Sequence, residues 1–253
     1  MARTNNDPVI VVTGGNRGIG FEICRQLTAR EARVVLTARK RTAGEAAVKK
    51  LAGGKHAAAF HPLDVTDGKS IEHLSEFLKE TYGHIDVLIN NAGRAQPKGI
   101  TDLREDEWNA TIDVNLKSCF NWVQPIVPHM LAAQYGRIIS MSSLNAHSGG
   151  VTAAVSKFAY AAAKAGIIGM TRSLAKELGP HILVNCVCPG LIKTEVVGNA
   201  VIREREPELV KGIALKRVGT PRDVAEVAAF LAASEPCFVT GQDIVIDGLQ
   251  WNR

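Results

Sequence analysis

The feature that most limits the fold is a glycine-rich turn set between a short apolar run and an amphipathic helix. Val9-Ile-Val-Val12 leads directly into Thr13-Gly-Gly-Asn-Arg-Gly-Ile-Gly20, and the stretch Arg17 to Arg30 then carries Ile19, Ile23 and Leu27 on one helical face. Gly14, Gly18 and Gly20 stand where the chain must turn sharply and let a ligand approach the backbone. The helix that follows offers unpaired N–H groups and the positive end of its dipole to an anion, as a dinucleotide pyrophosphate requires. Glycines alone describe any tight turn. The strand before them and the helix after them supply the context of a dinucleotide site.

The rest of the chain continues this alternation. Val34 to Thr37, Ala57 to Phe60 (ending at Leu63-Asp64-Val65), Asp86 to Asn90, Arg137 to Met141, Ile182 to Val187 and Asp243 to Ile246 read as further strands. Helical spacing covers Thr42 to Leu51, Lys69 to Tyr82 and Tyr160 to Leu178. Glu105 to Met130 reads as one or two long helices, with Pro125 and Pro128 expected to kink or shorten the C-terminal part. Repeated βαβ units imply an α/β fold: a doubly wound parallel sheet of about seven strands with helices on both faces. The 253 residues, 46% apolar and 22% charged, fit one such domain spanning 1–253. Gly198 to Arg217 is charged and helical in tendency, either a lid over a substrate site or a solvated helix.

Tyr160-Ala-Ala-Ala-Lys164 puts a phenol and an ammonium on one face of a helix. A free phenol titrates at about 10, too high for a base at neutral pH. A nearby cation favours the phenolate, so such a pair can pass a proton to or from a substrate oxygen.

Together these motifs resemble the short-chain dehydrogenase/reductase family over nearly the whole chain, from Val9 to Gly248. The resemblance implies a Rossmann-type fold and an NADP-preferring oxidoreductase that interconverts a ketone and a secondary alcohol, with Tyr160 as general acid/base. It implies a catalytic set of Asn115, Ser143, Tyr160 and Lys164, with Ser142 as the other serine register. Ser143, Asn145 and Tyr160 would contact substrate. Cofactor contacts would come from Gly14, Asn16, Arg17, Gly18, Ile19 and Gly20 in the turn, and from Asp64 and Val65 after the third strand. Asn91, Tyr160, Lys164, Pro189, Gly190, Ile192 and Thr194 would complete the site. The position that is acidic in NAD-using relatives falls at Ala38, with Arg39 beside it, and Arg17 adds a second cation. Two guanidinium groups there suit the 2′-phosphate of NADP(H). The stretch from Ser143 to Tyr160 is longer than the commonest spacing in that family, and Leu249 stands where a second glycine is frequent.

Further pocket candidates are Arg94, Gln96, Leu144, His147, Leu191, Val196 and Val197. The five cysteines, Cys24, Cys119, Cys186, Cys188 and Cys237, are scattered and expected to be reduced and structural. No local zinc spacing occurs, so no metal is expected. The net charge of +5 suits an anionic ligand without implying nucleic acid. No leader-like or membrane-length apolar run occurs, so a cytoplasmic enzyme is expected. Apolar residues on more than one face of the two long helices (Ile112, Leu116, Phe120, Ile167, Met170, Leu174) and the resemblance point to a homotetramer, with the tail from Phe238 to Trp251 as a second contact. A 3-oxoacyl-carrier-protein reductase, a sugar or polyol dehydrogenase, and a non-catalytic dinucleotide-binding sensor remain alternatives. Gln134 and His181 stand where carrier-protein reductases typically place basic residues.

Overall fold

The computed structural model describes residues 7–150, 156–195 and 199–251. The candidates Val196 and Val197, and part of the long stretch after Ser143, lie outside them. Seven strands form one parallel sheet: β1 (Val9–Thr13), β2 (Arg33–Ala38), β3 (Ala59–Pro62), β4 (Val87–Asn90), β5 (Gly136–Met141), β6 (Ile182–Pro189) and β7 (Asp243–Ile246), in the order β3-β2-β1-β4-β5-β6-β7. The strands β1, β4 and β5 are buried along their whole length, which is why β1 and β4 read as apolar runs instead of alternating ones.

Alternate residues of β1, β2, β4 and β5 feed two separate cores. Ile10, Val12, Leu36 and Ile89 pack under α1 (Gly18–Ala29), α2 (Arg41–Lys50) and a later helix through Ile23, Leu27, Ala47 and Val224. Val11, Val35, Leu88 and Ile138 pack on the other face under α3 (Gly68–Tyr82) and the helices that follow β4, through Ile71, Leu78, Trp122 and Ile126. Each such buried aliphatic side chain contributes roughly 1.5–3 kcal/mol relative to exposure.

The long helical stretch after β4 is broken, but not by its prolines. It runs as α4 (Glu105–Ile112), a π turn (Asp113–Lys117) and α5 (Ser118–Ala132). Pro125 and Pro128 lie inside α5, away from its buried stripe of Cys119, Trp122, Ile126 and Met130. Pro125 is half-buried and Pro128 exposed, and the helix continues past both. The short α6 (Asn145–Ser148) and the long α7 (Phe158–Leu178) follow β5. The charged segment forms α8 (Asn199–Leu209) and a 3₁₀ turn (Val210–Gly212), tethered by a Lys193–Glu206 ion pair of 2.7 Å.

A ninth helix, α9 (Pro221–Ala233), has no counterpart in the sequence reading, although its start signal is complete. Thr220 accepts from the Asp223 N–H, the Asp223 carboxylate accepts from the Thr220 N–H, and proline occupies the first helical position. Arg137 at the start of β5, only 2% exposed, pins the far end of α9 by donating to the carbonyls of Leu231 (2.8 Å) and Ser234 (2.6 Å) and to the carboxylate of Glu235.

Candidate active site

A cleft of about 1300 Å³ opens beyond the carboxyl ends of β1 and β4, where the strand order reverses. The glycine turn forms one wall. Gly14 and Gly18 take left-handed φ of 64° and 56°. Asn91 holds the turn from the next strand: its Nδ2 donates to the carbonyls of Thr13 (2.9 Å) and Gly14 (3.2 Å). The Thr13 hydroxyl accepts in return from the N–H groups of Asn91 (2.9 Å) and Ala92 (3.0 Å). A Cβ on Gly20 would collide with the Asn91 amide and the Gly14 carbonyl, so α1 reaches this close only because position 20 lacks a side chain. Helix α1 begins with no side chain capping its first amides and no acidic residue in its first turn. Uncapped amides at the edge of a cleft fit a pyrophosphate.

Asn16, Arg17 and Ile19 line this wall, and Asp64 and Val65 line the side below β3. One oxygen of Asp64 accepts from the Thr66 N–H (2.9 Å) and hydroxyl (2.8 Å). Ala38 ends β2 at 8% exposure with no carboxylate of its own to meet a ribose. Arg17, Arg39 and Lys40 all line the cleft, all are exposed, and none forms an ion pair among the described residues. Lys40 escaped the sequence reading although it directly follows Arg39. Pro189, Gly190, Ile192 and Thr194 line the opposite side. The chain tail braces that segment, since the Leu191 N–H donates to Gln250 Oε1 at 3.1 Å. Gln250 and Leu209 also line the cleft, and no local sequence signal marks either.

Helix α7 carries Tyr160 and Lys164 into the same cleft. Lys164, 3% exposed, donates from Nζ to the Met141 carbonyl at 2.7 Å, and Nζ lies 5.5 Å from the Tyr160 ring centroid. The two serine registers differ in geometry. Ser142 is buried and its hydroxyl donates to the Lys164 carbonyl at 2.7 Å. Ser143 is half-buried; its oxygen accepts from the Asn145 N–H at 3.2 Å, which leaves its own proton for a ligand. Asn145 lines the cleft beside it.

Asn115 sits in the π turn, fully buried and behind the cleft wall. Both its N–H groups are used, donating to the carbonyls of Arg94 (2.9 Å) and Thr111 (3.0 Å), and its Oδ1 accepts from the Arg94 N–H at 3.0 Å. A Cβ on Gly93 would lie 2.9 Å from Asn115 Oδ1 and 3.5 Å from Lys164 Nζ, so the glycine lets these groups close together. The amide itself therefore positions backbone. Of the other pocket candidates, Arg94, Leu144 and Leu191 line the cleft. Gln96 does not: it is buried, with Nε2 donating to the Thr111 hydroxyl at 3.2 Å. His147 does not either; it stacks on Trp251 with 5.2 Å between ring centroids.

The chain belongs to the short-chain dehydrogenase/reductase family of oxidoreductases, whose members use a nicotinamide dinucleotide. The family described as Enoyl-(Acyl carrier protein) reductase matches residues 14–248. The 3-oxoacyl-[acyl-carrier-protein] reductase FabG of Thermotoga maritima is 38% identical over 241 residues, covering 95% of this chain and 96% of that protein. FabG of Chlamydia muridarum is 37% identical over 243 residues, covering 94% and 95%. Among solved structures, a short-chain dehydrogenase/reductase from Brucella melitensis titled glucose/ribitol dehydrogenase superposes with a TM-score of 0.89 at 30% identity, covering all of both chains.

Proposed function

We propose that this protein is an NADP(H)-dependent reductase that interconverts a ketone and a secondary alcohol. The observation that carries the reading is that Ser143, Tyr160 and Lys164 open into the same cleft as the uncapped end of α1 and three cations that form no ion pair among the described residues. When bound, the nicotinamide ring supplies the hydride in reduction and accepts it in oxidation. The Ser143 hydroxyl donates to the substrate oxygen and orients it toward Tyr160. Tyr160 gives its phenolic proton to that oxygen as charge develops there, or takes the proton back in the reverse direction. Lys164, held by the Met141 carbonyl, places its positive charge beside the phenol and stabilises the phenolate left behind. Gly14, Asn16, Gly18, Ile19 and Gly20 would hold the pyrophosphate side, and Asp64, Val65 and Asn91 the adenosine side. Pro189, Gly190, Ile192 and Thr194 would hold the nicotinamide. Arg17 and Arg39, joined by Lys40, would pair with the 2′-phosphate.

A 3-oxoacyl thioester is the substrate class favoured by the names of the similar proteins. The test is turnover of a panel (small ketones, a 3-oxoacyl thioester, a polyol in the oxidative direction) with each cofactor. We expect reduction with NADPH at least about tenfold more efficient than with NADH, one charge-assisted contact being worth about 1.5–3 kcal/mol. Equal use of both would remove the role given to the cations, and no turnover at all would favour a dinucleotide-binding sensor.

The reading includes a cytoplasmic enzyme, supported by five unpaired cysteines. It also includes a homotetramer. Ile167 is ordinary core at 0% exposure, and Leu116, Met170 and Leu174 are partly covered by their own chain. The support that remains is Phe120, half-exposed on α5, together with the exposed Phe238 and Leu249 in the tail and the half-covered edge strand β7. Light scattering at working concentration should give four chains. A dimer would leave one of the two contacts standing, and a single-chain mass would rule out both.

A further inference from the structure

Behind the cleft, on the α7 face of the sheet, three side chains from distant segments converge. Cys186 and Cys188 lie two apart on β6 and so point to one face, and Cys186 pairs in register with Asp243 of β7. His147 reaches the same place from α6. One ligand atom each of His147, Cys188 and Asp243 lies within 4.8 Å of the others. The contact of His147 Nε2 with Asp243 Oδ2 is 3.1 Å, yet this buried nitrogen lacks the alignment of a hydrogen bond. Arg172 donates to the other carboxylate oxygen, Oδ1, at 2.8 Å, which fixes the carboxylate and leaves Oδ2 for the cluster. Trp251 stacks on the imidazole and fixes that ring from the outer side.

We propose that His147, Cys188 and Asp243 form a site for a thiophilic divalent cation of the Zn²⁺ type, with a fourth position for water. A thiolate, an imidazole and a carboxylate are the donor types Zn²⁺ takes, and donor atoms about 2.0–2.3 Å from a tetrahedral metal stand about 3.3–3.7 Å apart; His147 and Asp243 stand 3.1 Å apart and all three donors lie within 4.8 Å of one another, so small side-chain shifts close the site. The ligand from cysteine must be the thiolate. Geometry selects Cys188 for that role, since its Sγ lies within 4.8 Å of the ligand atoms of both His147 and Asp243. Binding releases the Cys188 proton to solvent, so the two negative ligands balance the metal charge. Arg172 stays outside the ligand set, bonded to the carboxylate as an outer partner. The site ties α6, which begins two residues after Ser143, to the edge strand and the tail.

Cobalt tests this without reference to activity, because a thiolate–Co²⁺ bond gives a charge-transfer absorption that aqueous Co²⁺ lacks. The full-length protein, titrated with Co²⁺, should develop that band with one equivalent per chain and lose it when Zn²⁺ is added. Cys188→Ser should abolish the band. His147→Gln and Asp243→Asn should weaken Co²⁺ binding by more than the roughly 10–100-fold that an outer-shell partner is worth. Cys237→Ser, at a partly exposed cysteine outside the cluster, should leave the titration unchanged. If Cys188→Ser fails to fold, His147→Gln decides alone, since it alters a short helix at the surface of the cluster and not a core strand. Absence of the band, or a titration that His147→Gln leaves unmoved, overturns the proposal.

Discussion

Tyr160→Phe should lower kcat by about 10²–10⁴, the range that a positioned proton-transfer group supplies, while NADPH binding stays near that of the parent. The substitution removes one oxygen from a half-buried ring on α7 and leaves Lys164 tied to the Met141 carbonyl, so neither fold nor cleft wall changes. The split between the two readouts is the informative part. Loss of binding together with turnover would point to a damaged cleft, and unchanged turnover would remove Tyr160 from the chemistry. Fluorescence titration of bound NADPH measures the first quantity and single-turnover reduction of a ketone found in the panel measures the second.

The double change Ala38→Asp with Arg39→Leu should shift cofactor preference toward NADH by about 10–100-fold or more, from the 1.5–3 kcal/mol of one lost charge-assisted bond and an added acid for the ribose hydroxyls. Ala38 closes β2 at the cleft, so a carboxylate there meets the ribose side directly. Arg17 and Lys40 remain in the variant, so NADPH use should fall without vanishing. The ratio of kcat/KM for the two cofactors reads the shift. An unchanged ratio would mean that Arg39 points elsewhere in the complex.

The strands and the glycine turn were legible because their signals are local. An apolar run buried on both faces, and a strand-turn-helix around Gly14, Gly18 and Gly20, need no knowledge of the rest of the chain. The same holds for Tyr160 and Lys164, which one helical turn places together. What escaped was of two kinds. The capping box at Thr220 and Asp223 was present in the sequence and passed over, so α9 was a missed reading of an available signal. The π turn at Asp113–Lys117 was not legible, because no residue type or local motif in Asp-Val-Asn-Leu-Lys marks one extra residue in a helix. Proline was given too much weight: α5 continues past Pro125 and Pro128, which lie off its buried stripe. Long-range pairings were the least visible. Nothing near Gln250 announces the Leu191 N–H, and nothing near His147 announces Asp243, which lies at the far edge of the sheet.

The bare first turn of α1 has a consequence for how long the protein survives. A helix start with neither a capping side chain nor an acid leaves part of its own stabilisation to be supplied from outside. On the proposed reading the dinucleotide is that missing cap, so ligand and architecture are thermodynamically linked. At a free cofactor level of 100 times Kd the folded state gains about 2.7 kcal/mol, and that gain disappears as the pool is depleted. Molecules starved of nucleotide would open more often and meet proteases sooner, so the abundance of the enzyme would follow the cellular supply of its own reductant.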